Sequence, residues 1–143
     1  MLRGFTLLEV LLSVAALSTI AGIGIPVFQS FQVRNDLDVA AVTVAQSARR
    51  AQILAEASDG DSNWGVEVAP GAVTLFKGDT FAARDAAYDE TFVLPGTITA
   101  SGLTDIVFAK MTGLPSAVGT LTLTSTINEV RLITFNAKGT VSY

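Results

Sequence analysis

Hydrophobic residues follow two successive patterns in the first 57 positions. Residues 10–33 carry no charge, and this run exceeds the roughly 20 apolar residues that cross a bilayer. In residues 34–56, apolar side chains recur every three or four positions, which is typical of an amphipathic helix. The members of this stripe are Leu37, Ala41, Val44, Ala48, Ala51 and Ala55. The sequence predicts a long helix with a membrane-spanning half at 5–33 and an amphipathic half at 34–57.

After residue 57 the pattern changes to alternation of apolar and polar positions with many β-branched residues, which indicates strands. Turn-forming pairs such as Pro70-Gly71 and Lys138-Gly139 separate eight predicted strands. These strands are Trp64–Ala69, Val73–Lys77, Thr91–Leu94, Thr97–Ala100, Asp105–Lys110, Thr120–Thr124, Val130–Phe135 and Thr140–Tyr143. Their short connections favour antiparallel pairing.

The last long strands suggest how the headpiece packs. Leu121 with Leu123, and Val130 with Leu132, are each expected to line the apolar face of a strand. That face should cover the helix closely, because the helical stripe is mostly alanine. We therefore expect an α+β fold, in which a long N-terminal helix packs against an antiparallel β-sheet headpiece over residues 58–143.

The amino-acid composition excludes several kinds of catalytic and binding site. Only 15% of the 143 residues are charged, against about a quarter in ordinary soluble domains. The chain has neither cysteine nor histidine, which excludes disulfides, thiolate catalysis and every histidine-based catalytic or metal site. No enzyme activity, cofactor or metal is therefore expected. The net charge is −4 without a Lys/Arg run, so nothing indicates a nucleic-acid face.

The charges in the N-terminal segment need an explanation. Residues 1–33 contain only Arg3 and Glu9, and a charged side chain within an inserted apolar helix costs roughly 2.5–3.5 kcal/mol. A cleaved secretory signal with a cut near Ala21, or a generic signal anchor, would account for Arg3 and the apolar run. Neither supplies a partner for Glu9, so a third interpretation is needed.

The run Gly4-Phe5-Thr6-Leu7-Leu8-Glu9 resembles the processing motif of type IV prepilins and type II secretion pseudopilins. The resemblance implies a leader at residues 1–4, cleavage between Gly4 and Phe5 by a prepilin peptidase, and N-methylation of Phe5. It also implies that Glu9 pairs with the new terminal amine of a neighbouring subunit, since opposite charges attract strongly at low dielectric. A monomer could instead pair its own two groups, so the motif leaves open whether this contact is intermolecular.

A second, looser resemblance covers the headpiece. Residues 106–115, 119–123 and 133–141 are similar in order to the C-terminal region of H-type minor pseudopilins and FimT-type minor pilins, including the closing Phe-Asn-x-x-Gly-x-Val. The two resemblances imply a pilin-like fold and a single-pass protein of the cytoplasmic membrane. The headpiece would lie on the periplasmic or extracellular side, and the partners would be the peptidase and other pilin or pseudopilin subunits of a pilus or pseudopilus.

Gly22, Gly24 and Pro26 interrupt the apolar helix. Proline removes a helical hydrogen bond at a cost of about 3 kcal/mol, and each glycine adds roughly 1 kcal/mol. The residues predict either a kink near the membrane surface or, as the resemblance implies, a segment that melts when the helix packs in a filament.

Two other patterns are better explained without a special site. Asp59, Asp61 and Asn63 begin like a calcium loop, but Trp64 stands where such a loop needs glycine and Pro70 where it needs glutamate. The stretch 77–90 is rich in charged and aromatic residues and has no cofactor fingerprint. We interpret this stretch as a solvated loop. Its charged and aromatic cluster consists of Lys77, Arg84, Asp85, Tyr88, Asp89 and Glu90.

Nucleic acid is not expected as a partner. Some FimT-type relatives bind DNA through a basic C-terminal region, but the segment after residue 128 has only Glu129, Arg131 and Lys138 as charged residues. Phosphate binding depends on the number of cations. The interpretation is a structural minor pilin or pseudopilin. The alternatives are a minor pilin of a DNA-uptake pilus, and an exported binding protein or enzyme that uses the helix as an anchor.

Overall fold

A computed structural model describes residues 5–143, except for the side chains of residues 23–26. One α-helix, α1, spans Leu7–Glu56, and three short 3₁₀ helices in the described residues span Asp59–Asp61, Phe81–Ala83 and Ala86–Tyr88. Eight strands follow, and their bounds lie within two residues of the predicted ones at each end. They are β1 (Trp64–Ala69), β2 (Ala72–Lys77), β3 (Glu90–Val93), β4 (Ile98–Gly102), β5 (Asp105–Phe108), β6 (Gly119–Ser125), β7 (Val130–Phe135) and β8 (Val141–Ser142). The chain divides into two compact units, Met1–Gln32 and Val33–Tyr143.

The strands form two four-stranded antiparallel sheets where the sequence suggested one. The first sheet has the order β3-β2-β1-β5 and the second has the order β4-β6-β7-β8. The chain leaves the first sheet after β3, contributes β4 to the second, and returns with β5 to pair with β1. Local turn signals determine the hairpins β1–β2 and β6–β7, whereas the partners of β4 and β5 depend on contacts distant in sequence.

The second half of α1 packs against the sheets, as predicted. All six residues of the predicted stripe are at most 2% exposed, and they form one core with apolar residues of both sheets. The largest sheet residues of this core that are less than 2% exposed are Leu75, Phe108, Leu121, Leu123 and Ile133. Burial of this mostly alanine stripe agrees with the side of the helix that the sequence predicted to be covered. The fold is α+β and consistent with that of pilins.

The expected orientation of β7 was wrong. Leu121 and Leu123 on β6 are buried, but Val130 and Leu132 on β7 are 44% and 56% exposed. The inward positions of β7 are instead taken by Arg131, Ile133 and Phe135, of which the last two are buried. This strand has apolar residues on both faces, so alternation alone does not determine which face turns inward.

Ion pairs join the second half of α1 to the strands and turns. Their partners and N–O distances are Arg34–Glu129 (2.8 Å), Asp38–Arg131 (2.7 Å) and Arg50–Glu90 (2.6 Å). All six side chains are substantially exposed, so each pair contributes no more than about 1 kcal/mol. Their main effect is to orient the helix on the sheets.

Candidate functional site

The helix begins with a side-chain cap that the sequence analysis missed. The backbone N–H of Glu9 donates to Oγ1 of Thr6 at 3.3 Å, and the N–H of Val10 donates to the Thr6 carbonyl at 3.2 Å. A threonine followed three residues later by glutamate is the spacing of a capping box, a signal that was available in the sequence. In the structure, Thr6 contributes its half of that box.

Glu9 has the one charged side chain within residues 5–33. It lies in the first turn of α1, where the helix dipole favours a negative charge. Within residues 5–143 its carboxylate has no hydrogen-bond or ion-pair partner, and the Glu9 residue is exposed. Phe5, at the predicted new N-terminus, is 80% exposed. Gly4 lies outside the described residues. The described part of the chain therefore supplies no counter-charge for Glu9.

The surrounding helix surface is apolar and uncovered. Its large hydrophobic side chains are between 49% and 82% exposed. They are Phe5, Leu7, Leu8, Val10, Leu11, Leu12, Val14, Leu17, Ile20, Val27, Phe28 and Phe31. By length and composition this helix could span a membrane. Side chains exposed at this density need lipid or protein around them.

The hydroxyl groups in this segment are compatible with an apolar surrounding. Ser13, Ser18 and Thr19 each donate to the carbonyl four residues earlier, at 2.8, 2.8 and 2.9 Å. A hydroxyl satisfied by its own helix carries a smaller cost on transfer to lipid than an unpaired one. These local hydrogen bonds therefore lower the cost of placing the three hydroxyls in an apolar surrounding, whereas the Glu9 carboxylate has no such partner among the described residues.

The glycine and proline positions lie inside α1. A Cβ placed on Gly22 would have no atom within 4 Å, so no described side chain requires glycine there. Gly24 and Pro26 lie within residues 23–26, whose side chains are outside the described part of the structure. A kink or melting point at these three positions stays a prediction.

The calcium-like stretch forms a different structure. Lys110 Nζ lies 2.7 Å from Oδ1 of Asp61, and this hydrogen bond and charge lower the pKa of Asp61 below its ordinary 3.8. Asn63 Oδ1 accepts the backbone N–H of Lys110 at 2.7 Å, and Asn63 Nδ2 donates to Asp79. The side-chain oxygens of Asp61 and Asn63, two of the three residues that resemble a calcium loop, are therefore occupied by protein donors. No group of three acidic residues in the described chain is arranged to hold a metal.

The charged stretch 77–90 is held by structural contacts. Arg84 pairs with Asp89 at 2.7 Å and stacks on the ring of Phe81, while the ammonium of Lys77 lies 4.2 Å from the ring centre of Tyr88. The Asp85 carboxylate accepts the N–H of Ala87, and Glu90 pairs with Arg50. This arrangement fixes the loop against the end of the helix.

The segment after residue 128 has two cationic side chains, and one of them is engaged in an ion pair. Arg131 pairs with Asp38, and Glu129 pairs with Arg34. After residue 128, Lys138 is the remaining cationic side chain, with its ammonium in no ion pair among the described residues. One such cation is a weak basis for phosphate binding.

No protein-family model, curated protein or solved structure matches this chain.

Proposed function

We propose that this protein is a structural subunit of a filament anchored in the cytoplasmic membrane, a minor pilin or pseudopilin. The observation that carries the proposal is the combination, at the start of α1, of an unpartnered carboxylate with an uncovered apolar surface. An unpartnered carboxylate in the first helical turn lies among apolar side chains that nothing in the described chain covers. The prepilin-like run Gly4-Phe5-Thr6-Leu7-Leu8-Glu9 precedes and includes that carboxylate.

Processing would give Glu9 its counter-charge. Cleavage between Gly4 and Phe5 produces a terminal amine, which stays cationic after methylation. At membrane depth this amine and a Glu9 carboxylate attract each other far more strongly than in water. When the amine belongs to one subunit and the carboxylate to the next, each addition to the filament neutralises two charges that would otherwise stay in lipid.

The remaining parts of the chain take structural roles in this proposal. The apolar half of the helix inserts in the membrane and then packs among neighbouring helices, with the headpiece on the periplasmic side. Gly22, Gly24 and Pro26 would let the helix adjust between these two environments. The headpiece carries out no reaction of its own, and the chain is a substrate once, for the prepilin peptidase.

Processing is tested by intact-mass measurement after co-expression with an active prepilin peptidase. We expect the product to lack residues 1–4 and to carry a methyl group on Phe5. Gly4→Leu should stay uncut, and Glu9→Gln should still be cut. A product that begins near residue 21 or 22 would mean a secretory signal peptide and would overturn the proposal. A full-length product beside an active peptidase would overturn it as well.

Assembly is tested by Glu9→Ala and Glu9→Gln in the cell that encodes the protein. Both variants should be processed and should fail to enter filaments, because each leaves the neighbouring amine unpaired in lipid. Asp59→Asn, which removes a carboxylate from an exposed loop of the headpiece, is the matched control and should assemble normally. Unchanged incorporation of both Glu9 variants would show that Glu9 has no role in assembly. Absence of the processed wild-type chain from filaments would favour an anchored binding protein, and salt-dependent DNA binding by the purified chain would favour a DNA-uptake pilin.

A further inference from the structure

An open pocket lies in the headpiece between the last turns of α1 and the first sheet. Its volume is about 300 Å³, which is at the lower end of the range for small-molecule sites. Segments distant in sequence contribute to it: α1, the 3₁₀ helix Asp59–Asp61, β1, and the chain that leads into β3. Its lining includes Arg50, Leu54, Asp59, Trp64, Tyr88 and Glu90. The pocket therefore has the size of a site for one small ring.

Part of the lining is apolar. Leu54 packs against the core, and Trp64 is 4% exposed. The indole N–H of Trp64 donates to the Asp59 carbonyl at 2.9 Å, so the indole needs no further acceptor. Tyr88 is half-exposed and meets Trp64 edge to face, with the ring centres 6.4 Å apart. Together the two rings and Leu54 form an apolar surface within the pocket.

The polar groups beside this surface have unused hydrogen-bonding capacity. Arg50 and Glu90 form an ion pair through one N–O contact of 2.6 Å. Within residues 5–143, the other guanidinium N–H groups of Arg50 and the second oxygen of Glu90 have no hydrogen-bond partner. The same holds for the carboxylate of Asp59 and the hydroxyl of Tyr88. The pocket thus offers both donors and acceptors to a ligand.

Residues outside the lining hold the polar wall in place. The ammonium of Lys77 lies 4.2 Å from the ring centre of Tyr88, and Arg84 Nε donates to Oδ2 of Asp89 at 2.7 Å. Asp89 also lines the pocket, and its other oxygen, Oδ1, is buried without a hydrogen-bond partner among the described residues. The wall is therefore preorganised, and it contains an acceptor for which the described chain provides no donor.

We propose that this pocket binds a neutral saccharide and that one pyranose ring is the unit it recognises. A pyranose ring has apolar C–H groups on its faces, suited to contact with Leu54, Trp64 and Tyr88. Its hydroxyls lie around the edge, and each donates one hydrogen bond and accepts two. A single hydroxyl can therefore accept from Arg50 and donate to a carboxylate at the same time.

The charges of the lining favour a neutral ligand. Arg50 is already paired with Glu90, and Asp89 with Arg84, so an anion or a cation would have to displace one of these pairs. Asp59 is in no ion pair within residues 5–143, but it is exposed, and an ion pair at an exposed site contributes little. Hydroxyl groups can use the spare donors and acceptors without breaking either pair.

The fluorescence of Trp64 reports binding directly, because Trp64 is the single tryptophan and lines the pocket. The full chain, in a detergent whose head group is not a sugar, is titrated with glucose, galactose and N-acetylglucosamine, and with maltotetraose and chitotetraose. We expect a saturable change with at least one of them, with a Kd of about 1 mM for a monosaccharide. Sorbitol has the hydroxyls of glucose without the ring, and should give no saturable change.

The two tetrasaccharides distinguish the sources of such a ring. A tetrasaccharide that binds about tenfold more tightly than its own monosaccharide indicates a polysaccharide chain as the ligand. Equal affinity for both indicates a free sugar. Either result supports recognition of a pyranose ring in the pocket.

Two substitutions in the pocket have matched controls elsewhere in the headpiece. Tyr88→Ala and Arg50→Gln should each weaken binding about tenfold, since they remove an apolar contact and a donor. Tyr143 is also a half-exposed tyrosine beside an arginine, and Arg34 also pairs with a glutamate, yet neither lines the pocket. Tyr143→Ala and Arg34→Gln should therefore bind the sugar as the wild type does.

Several results would overturn the inference. They are no saturable change with any of the five sugars, an equal response to sorbitol, or equal losses in the pocket variants and their controls. A saturable response to putrescine without one to any sugar would also overturn it and would indicate a cationic ligand. The titration requires neither cleavage of residues 1–4 nor assembly, so its outcome is independent of the proposed function.

Discussion

The side-chain amide of Gln52 lies where a Cβ of residue 139 would be, so Gly139 is the residue that lets the helix meet the β7–β8 turn. Gln52 Nε2 donates to the carbonyl oxygens of Lys138 and Gly113, at 3.2 Å each. A Cβ on residue 139 would also lie 2.8 Å from the Gly113 oxygen, and Gly139 has φ +78°. One helical side chain thus holds two loops, the turn at 136–140 and the loop at 109–118.

These contacts give a physical reason for the closing Phe-Asn-x-x-Gly-x-Val. Phe135 and Val141 are buried at either end of the turn, and Asn136 Oδ1 accepts the N–H groups of Lys138 and Thr140 at 2.9 and 3.0 Å. Gly139 supplies the positive φ and the space for Gln52. The whole motif is explained by the turn and its attachment to α1.

Gly139→Ala should destabilise the fold by about 2–4 kcal/mol, because left-handed strain is added to a clash with backbone and side chain. Two control glycines separate these effects. Gly71 has φ +81° with open space around its Cβ position, and Gly96 has open space without a positive φ. We expect about 1 kcal/mol for Gly71→Ala and no loss for Gly96→Ala.

The measurement is equilibrium urea unfolding of the full chain in detergent, followed by the fluorescence of Trp64, the single tryptophan. From the highest to the lowest urea concentration at the midpoint, we expect the order Gly96→Ala, Gly71→Ala and Gly139→Ala. Coincident midpoints for the Gly139 and Gly71 variants would show that Gln52 moves aside without cost.

Gln52→Ala should cost about 1–2 kcal/mol, since it removes two hydrogen bonds and leaves the part-buried Gly113 carbonyl without that donor. Gln46→Ala is the control, because Gln46 is exposed on the same helix. The two variants have the same change in helix propensity, so the difference in unfolding free energy isolates the loop contacts. Equal values for both would contradict the structural role of Gln52.

Ala48→Leu should destabilise the headpiece by about 1–3 kcal/mol. Ala48 has no exposed surface and lies in the stripe that the sheets cover, so added methyl groups force the helix away. Gln46→Leu introduces the same side chain at an exposed position and should be close to neutral, since leucine favours helices. A neutral Ala48→Leu would mean that the covering is looser than described.

Glu67→Gln should remove a pH dependence of stability. Burial raises the pKa of Glu67 above its ordinary 4.5, the facing Asp105 raises it further, and Arg84 lowers it. Glu67 Oε2 is buried without a hydrogen-bond partner, and burial raises the pKa of Asp105 as well. The folded state therefore binds the Glu67 proton more tightly than the unfolded chain does.

A raised folded pKa means that stability falls as the pH rises from about the ordinary value of 4.5 through the folded pKa. The Tm of the wild type should fall relative to that of Glu67→Gln over this interval, and the difference should stay constant at higher pH. Asp59→Asn controls for the loss of a headpiece carboxylate. A wild-type Tm that rises relative to that of Glu67→Gln as the pH increases would have the wrong sign for this account.

Local pattern was sufficient for the long helix and the eight strands, whereas the three short 3₁₀ helices were not predicted from it. The three-to-four spacing from Leu37 to Ala55 determines both the helix and its buried side, because a helix repeats every 3.6 residues. The strand bounds follow from alternation and from turn residues, which act over a few positions. The prepilin-like run at residues 4–9 is also local, and it supports a functional hypothesis without a structure.

Tertiary structure decided what a short window of sequence does not contain. It divided the strands into two sheets, and it turned Ile133 and Phe135 inward rather than Val130 and Leu132, because both faces of β7 are apolar and only packing against α1 and β6 distinguishes them. It also brought Gln52 to Gly139 across more than eighty residues. The helix and strands come from interactions between near neighbours, whereas sheet partners, inward faces and loop anchors come from contacts that exist only after the chain has folded.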